Sequence, residues 1–317
     1  MRAIACALAA ALIGASAAQA AWPERPVQMV VPFAAGGITD VLARVTAERL
    51  QAAFKQPFVV ENEPGAAGVI AAHRVARAKP DGYTLIFCPS FQITIAPFTH
   101  TVDFDPIKDF APISIVATSP FVITVGAEFP AGTLAEFIAY VKSKPGELTY
   151  GSAGPGSLTH IASAVFLKSA GLDMIHVPYK GVAPAFSDLL AGHIHMLSAT
   201  PVETKPYLDS GKVKLLAVTG AERSAQLPGV PTIAETLPSP PIVTTNGVMA
   251  PGRTPPDIVD AVARAIMAAE NTAEFRERLQ RIGVEPVVNT PAQFADIIAA
   301  DTIRWRAVVR DLGLAVQ

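Results

Sequence analysis

Short apolar runs alternate with amphipathic stretches through the first hundred residues of the chain. Residues 27–31, 58–61 and 83–88 are apolar runs of strand length, and residues 41–54 and 69–78 carry apolar side chains at helical spacing. Strands that alternate with helices of this length are typical of βαβ units on a parallel sheet. The pattern therefore predicts one α/β unit within this part of the chain.

The same alternation continues to residue 312. The predicted strands are residues 113–117, 121–125, 148–150, 174–177, 194–197, 213–218 and 246–249. The predicted helices are residues 134–142, 183–190, 202–208, 255–269, 272–282 and 291–312, with one more that begins near residue 157. Proline-dense segments at residues 227–231 and 237–241 predict a loop-rich crossover.

The length of the chain indicates more than one domain. A mature chain of roughly 300 residues is at the size where a single hydrophobic core tends to divide. We therefore expect two α/β domains that are joined by two crossovers. The first predicted domain comprises residues 21–119 and 240–317, and the second comprises residues 120–239.

A glycine turn joins the first predicted strand to the first helix. In VPFAAGGITD, residues 31–40, Gly36 and Gly37 permit a close turn, and Thr39 or Asp40 is predicted to be the helix N-cap. Backbone N–H groups at such a helix N-terminus bind anions. An ordinary tight connection is the alternative, because the turn lacks the third glycine of GxGxxG and the chain contains no GxxxxGK[ST].

A second loop of this kind, GSAGPGS, occupies residues 151–157. Ser157 or Thr159 is predicted to cap the helix that follows. Two loops that lead into helix N-termini favour an anion-binding function over a purely structural one. A nucleophilic pair of Ser157 and His160 is the alternative, but capping explains both residues better, and the chain contains no G-x-S-x-G.

The N-terminus has the pattern of a signal peptide. Arg2 precedes an apolar stretch, and Ala18–Gln19–Ala20 is a small-residue cleavage site. We therefore expect residues 1–20 to be removed and the protein to be exported to the periplasm. Removal of Cys6 leaves Cys88 as the only cysteine of the mature chain, so no intrachain disulfide is expected.

Charge and motif content exclude several function classes. Removal of Arg2 leaves 24 Lys+Arg against 27 Asp+Glu, so no nucleic-acid partner is expected. His193 and His195, with Glu203, are a candidate metal site, but a third well-placed ligand is not evident, and we favour structural histidines. We expect no metal, no cofactor and no catalytic residue. The alternative is a secreted hydrolase or isomerase that uses the same cleft between the two predicted domains.

Long motifs in a fixed order make the chain similar to a known family. They are WPERPVQMVVPFAAGGITDVLAR, VVENEPGAAGVIAAHRVARAKPDGYTL, YGSAGPGSLTHIASAVF, HVPYKGVAPAFSDLLAGHI and LAVTGAERSAQLPGVPTIAE. Together with GVMAPGRTPP and the C-terminal helices, they cover essentially the whole mature chain. The chain resembles the Bug-type periplasmic solute receptors of tripartite tricarboxylate transport systems.

The resemblance implies a fold and a function. The fold is the α/β, two-domain periplasmic-binding-protein fold of the venus-flytrap, type II-like kind, with two crossovers between the domains. A small carboxylate-bearing solute is held in the interdomain cleft, largely by backbone amides and waters. The receptor is expected to be a monomer that delivers the solute to integral-membrane transporter subunits. A ligand-sensing subunit for a membrane signalling partner is the alternative.

The resemblance also implies ligand-binding positions. In the first domain these are Phe33, Gly36, Gly37, Thr39, Asp40, Gly65, Ala66 and Ala67. In the second domain they are Ser152, Gly156, Ser157, Thr159, Lys180, Gly181 and Ser198. The chain departs from the family pattern at Ala34–Ala35, where a proline is usual, at Glu63, where Arg is usual, and at Ser198, where Asp is common.

Overall fold

Eleven strands form the frame of the molecule over residues 22–314, which the computed structural model describes except for the side chain of Ala67. The predicted signal peptide lies outside the described residues. The strands are β1 (Val27–Val31), β2 (Phe58–Asn62), β3 (Thr84–Pro89), β4 (Phe110–Pro120), β5 (Val122–Gly126), β6 (Thr149–Ser152), β7 (Ile175–Pro178), β8 (Met196–Ala199), β9 (Val213–Val218), β10 (Val243–Pro251) and β11 (Glu285–Pro286).

These strands form two separate sheets. The first has the order β11-β4-β10-β3-β1-β2, and the second has the order β7-β6-β8-β5-β9. Strand β1 runs parallel to β2 and β3, which confirms the parallel arrangement predicted for the first hundred residues. In the second sheet, β6 likewise runs parallel to β7 and β8.

Both sheets also contain strands that run against their neighbours. Strand β10 is antiparallel to β3 and β4, and β5 is antiparallel to β8 and β9. Each of these is the first strand after the chain has crossed from the other sheet. In a βα unit, the strand ends at the same edge of the sheet at which the helix begins. A strand that enters the sheet at that edge, as β5 and β10 do, must run in the opposite direction. Both sheets are therefore mixed.

The helices cover the faces of the two sheets. They are α1 (Ile38–Phe54), α2 (Val69–Ala76), α3 (Phe91–Thr94), α4 (Ala96–Thr99), α5 (Leu134–Lys142), α6 (Leu158–Ala170), α7 (Val182–Leu190), α8 (Pro201–Asp209), α9 (Pro256–Glu270), α10 (Ala273–Ile282) and α11 (Pro291–Asp311). Helix α5 and strand β9 match their predicted bounds at both ends. The short helices α3 and α4 were not predicted.

The core lies on both faces of each sheet. Leu42 of α1 and Val262 of α9 pack on one face of the first sheet, while Val75 of α2 and Phe294 of α11 pack on the other. In the second sheet, α5 and α6 cover one face and α7 covers the other. Strands that are buried on both faces need continuous apolar runs, which is the pattern seen in the sequence.

The chain passes between the sheets twice, at Phe121 and over residues 219–242. Thr219 ties the two passages together, because its N–H donates to the Phe121 carbonyl and its carbonyl accepts from the Ile242 N–H, at 2.9 and 2.8 Å. The Phe121 N–H also donates to Thr219 Oγ1 at 2.9 Å. The fold is thus a two-domain α/β fold. The domain limits at residues 119/120 and 239/240 stay a prediction.

Candidate functional site

An open cleft lies between the two sheets and has a volume of about 430 Å³. Residues of both sheets' loops line it. Its apolar wall includes Phe33, Ile38, Phe91, Ile95, Phe121 and Leu158. His100 and Glu203 are the only ionisable side chains among the described residues of the lining, and neither Lys nor Arg contributes to it.

The N-terminus of α1 forms one end of the cleft, and its geometry corrects the predicted cap. The helix begins at Ile38 with Gly37 as the N-cap, and no side chain caps it. Thr39 and Asp40 instead lie in the first helical turn. The N–H groups of Ile38 and Thr39 have no hydrogen-bond partner within the described part of the chain. The side chains of these two residues line the cleft, so this helix end is open to an anion.

Asp40 holds the first loop together from behind and does not line the cleft. Its carboxylate accepts from the Gly36 N–H at 2.9 Å, from Arg44 Nε at 3.0 Å and from Asn62 Nδ2 at 2.9 Å. Burial acts to raise the pKa of Asp40, but the hydrogen bonds from Arg44, Gly36 and Asn62 outweigh it and hold that pKa below its usual value. The local Thr–Asp signal for a cap is therefore overridden by these contacts.

The N-terminus of α6 faces the same cleft from the other sheet. Ser157 is its N-cap, as predicted, and accepts from the His160 N–H. Ser157 Oγ donates to the Gly154 carbonyl at 2.7 Å, and Thr159 Oγ1 accepts from the Ala153 N–H at 2.9 Å. The N–H groups of Leu158 and Thr159 have no partner in residues 22–314. A second helix end is thus open to an anion.

Two stacked histidines pack behind the loop at residues 151–157. The rings of His160 and His176 lie 3.8 Å apart at 7°, and His176 also stacks on Tyr150. His160 Nδ1 accepts from the Gly156 N–H at 3.2 Å, and His176 Nε2 lies 2.7 Å from Ser152 Oγ. Burial, and then the neighbouring His176, lower the pKa of His160 to about 4. The His160 ring is therefore neutral, and its Nδ1 accepts a hydrogen bond from Gly156. The Ser157 hydroxyl donates to the Gly154 carbonyl and not to this nitrogen.

The loop at residues 65–68 lies behind the cleft. Gly65 and Ala66 both have positive φ, +149° and +44°, and neither lines the cavity. A Cβ at Gly68 would come within 2.2 Å of Gln92 Nε2, and Gln92 does line the cleft. The absence of a side chain at Gly68 thus leaves room for Gln92. Glu63 is paired with Arg74 at 3.0 Å and does not line the cavity.

Several predicted positions lie away from the cavity. Lys180 is exposed, and Gly181 is the N-cap of α7 at φ +117°. Ser198 is fully buried in β8, where its Oγ accepts from Ser163 Oγ at 2.8 Å. The predicted residues that line the cleft are Phe33, Thr39, Gly156, Ser157 and Thr159. Those that do not are Gly36, Gly37, Asp40, Gly65, Ala66, Ser152, Lys180, Gly181 and Ser198. The side chain of the remaining predicted position, Ala67, lies outside the described part of the structure.

Several polar residues that line the cleft were not predicted to bind the ligand, although Glu203 was considered as a metal ligand. They are Gln92, Thr99, His100, Thr200, Glu203 and Asn246. Three of these belong to the α3–α4 segment or follow it directly, where four-residue helices leave no periodic signal. Thr200 and Glu203 carry a capping-box pattern, T-x-x-E, which could have placed a third helix N-terminus at the cleft.

The candidate metal site is not assembled. His193 pairs with Asp188 at 3.3 Å, whereas His195 Nδ1 lies 3.0 Å from Thr149 Oγ1. The part of the chain from residue 22 to residue 314 contains no cluster of three or more His, Cys, Asp or Glu side chains with metal-binding geometry. Within the same residues, none of the helices combines the length and the apolar character that a membrane span requires.

The two-domain α/β fold, with a cleft between two sheets and open helix N-termini on both sides, defines a solute-binding protein of the periplasmic type. Comparison with known proteins gives the family. The chain belongs to the tripartite tricarboxylate transporter family receptors, whose model matches residues 42–314.

Individual relatives extend the match over almost the whole chain. BugT of Bordetella pertussis is 35% identical, and the alignment covers 98% of this chain and 96% of BugT. A solved R. palustris protein with adipate is 35% identical, with a TM-score of 0.82 over 93% of this chain and 99% of that one. MatC from Rhodopseudomonas palustris, with bound malate, is 33% identical, with a TM-score of 0.77 over 91% and 100%. The predicted family and fold class are confirmed.

Proposed function

We propose that this receptor captures a small carboxylate-bearing solute in the cleft and delivers it to membrane transporter subunits. The observation that carries the proposal is the pair of open helix N-termini, from α1 and α6, that face one cavity from two sheets. Such helix ends bind carboxylates through free N–H groups and the helix dipole. The relatives solved with adipate and with malate support the same ligand class.

The expected affinity is compatible with this arrangement. A carboxylate gains about 0.3–1 kcal/mol from a helix dipole, and up to ~2 when it is partly buried. Each charge-assisted hydrogen bond adds about 1.5–3 kcal/mol. Two helix ends that close on one ligand can therefore supply the roughly 8 kcal/mol of micromolar binding.

The proposal extends to location, assembly and chemistry. We place the receptor in the periplasm as a monomer after cleavage behind Ala20, with domain limits at residues 119/120 and 239/240. No reaction is proposed, because the family is one of receptors and the Ser157 hydroxyl in the cleft donates to the Gly154 carbonyl and not to a histidine.

Calorimetric titration with carboxylates tests the proposal. We expect micromolar binding of at least one acid with four to eight carbons, and no binding of the matching amide, because the amide lacks the charge that the helix ends recognise. Mass spectrometry of the protein purified from its native host should then recover a carboxylic acid. Equal binding of an acid and its amide would contradict the proposal.

A further inference from the structure

The cleft contains one acidic side chain, and half of its hydrogen-bonding capacity is unused. Glu203 lies in the first turn of α8 and lines the cavity. Its Oε2 accepts from the Thr200 N–H at 2.8 Å and from Thr200 Oγ1 at 2.7 Å. Its Oε1 has no partner among the described residues, and no Lys or Arg of that part of the chain forms an ion pair with it. An acceptor with negative charge is thus available to a ligand.

The third helix N-terminus at the cleft therefore differs from the other two. At α1 and α6 the first N–H groups are free and no carboxylate lines the cleft beside them, whereas at α8 the carboxylate of Glu203 lies at the helix end and accepts from the N–H and the hydroxyl of Thr200. Pro201 at the first position of α8 has no N–H to offer. The cleft thus combines two sites that attract a carboxylate with one that repels it.

Apolar side chains lie between these sites. Phe33, Phe91 and Phe121 line the cavity together with Ile95, and no basic side chain of the described lining offsets the charge of Glu203. Two carboxylates repel each other more strongly the closer they lie. A ligand with a second carboxylate near the half-buried Glu203 would place two like charges side by side with no basic side chain of the described lining to offset them, which disfavours binding.

We infer that the cleft selects a monocarboxylate with an apolar body and a hydrogen-bond donor at its far end, and that Glu203 is the residue that sets this specificity. The inference rests on the proposed function, and it narrows the ligand class. Glu203 Oε1 accepts the hydrogen bond from the donor, and its charge rejects dicarboxylates. Repulsive elements of this kind are a common source of specificity.

A series of six-carbon acids that differ only at the far end tests the inference. The four ligands are hexanoate, 6-hydroxyhexanoate, 6-aminohexanoate and adipate, each titrated by calorimetry. The wild-type protein should bind the hydroxy or the amino acid at least tenfold more tightly than adipate. The hydroxy and amino compounds distinguish a neutral donor from a cationic one, and a preference for either supports the inference.

The variant Glu203→Gln separates charge from structure. Glutamine can keep the capping box of α8 but removes the negative charge. We expect the affinity ratio of the preferred donor ligand over adipate to fall at least tenfold. Glu136→Gln is the matched control, because Glu136 forms the same capping box at α5 and does not line the cleft; it should leave the ratio within twofold of wild type.

The possible outcomes distinguish the inference from the proposed function. If monocarboxylates bind but adipate binds as tightly, or if Glu203→Gln leaves the ratio unchanged, the inference is wrong and the proposed function stands. If neither these acids nor any other carboxylate binds, the proposed function and the inference both fail.

Discussion

Individual side chains in this protein work mainly by shaping the two loops that end at the cleft. Asp40 binds Gly36 and Asn62 behind the first loop, and His160 binds Gly156 behind the second. Gly36 has a φ of +88°, so its place requires glycine, whereas Gly37 has a φ of −74° that any residue can adopt. Of the two glycines in the first loop, only Gly36 has a backbone conformation that favours glycine.

The buried His160 makes stability depend on pH. Its pKa of about 4 in the folded protein is below the ordinary value of 6.5, so the unfolded chain binds more protons between these limits. Stability should therefore fall as the pH falls from about 6.5 to about 4, by up to ~3 kcal/mol. Urea unfolding at pH 7 and pH 4.5 measures this, and His160→Gln should reduce the difference.

Two comparisons make the pH test specific. Glu270 is fully buried, and burial raises its pKa to about 9. Its effect on stability is opposite to that of His160, because the stability it contributes falls as the pH rises from 4.5 to 9. The difference between variant and wild type removes that contribution. His193→Gln, at an exposed position, is the control. An unaltered pH dependence in His160→Gln would mean that this histidine is not the responsible group.

Helix N-termini are the elements that distinguish the cleft from the rest of the fold. Helices α5 and α11 carry complete capping boxes, and in α8 the Glu203 carboxylate accepts from the Thr200 N–H. Helices α4, α8, α9 and α11 have proline at the first or second position. Helix α1 has neither feature, and α6 has a capping serine but no proline. Helices α2 and α7 also begin without a capping side chain or a proline at the first or second position, so what sets α1 and α6 apart is that residues of their first turns line the cleft from two sheets.

A side-chain cap added at the N-terminus of α1 should weaken carboxylate binding without lowering the stability of the fold. In Gly37→Ser, the new hydroxyl is placed to accept from the second or third N–H of the helix, which an N-cap serine normally does. We expect a melting temperature equal to or above that of wild type and at least fivefold weaker carboxylate binding. Differential scanning fluorimetry and calorimetry measure the two effects, and loss of stability together with binding would indicate a damaged fold instead.

Much of this level of structure could be predicted from the sequence. Helix α5 was predicted to the residue because apolar side chains recur along it at helical spacing and a Lys–Pro–Gly turn follows it. The start of α1 was wrong because Asp40 is engaged by Arg44 and Asn62, and Asn62 lies 22 residues away. The burial of Ser198 and the direction of β10 depend on which strands pair, and no local pattern contains that information.

At the scale of the whole molecule, two passages of the chain connect the domains. Thr219 joins them through bonds to Phe121 and Ile242. The end of α11, with Trp305, packs against Leu158 and Ile161 of α6. A hydrogen-bonded connection of this kind suits a hinge, because the two domains can rotate about it while their own cores stay packed.

Ligand binding should close the two domains. A carboxylate that contacts both α1 and α6 binds the closed form better, and it must therefore shift the population toward that form. Small-angle X-ray scattering with a saturating carboxylate should give a smaller radius of gyration than scattering without ligand. The matching amide is the control and should leave the radius unchanged. The same radius with and without the acid would contradict hinge closure.

The central claim is that backbone N–H groups at open helix ends hold the ligand carboxylate. Proline at Ile38, the first position of α1, deletes one such N–H while keeping a conformation that proline favours there. Gly37 has φ −74° and ψ 165°, which suits a residue before proline. Leu158→Pro makes the same change in α6 behind Ser157, whose φ and ψ are −65° and 157°.

The most direct measurement is calorimetric titration of Ile38→Pro against Ile38→Ala, and of Leu158→Pro against Leu158→Ala, with one carboxylate. The alanine variants lose the side chain and keep the N–H. A charge-assisted hydrogen bond is worth about 1.5–3 kcal/mol, so each proline variant should bind about tenfold or more weakly than its alanine partner, with similar melting temperatures without ligand. Equal affinities within both pairs would contradict the account.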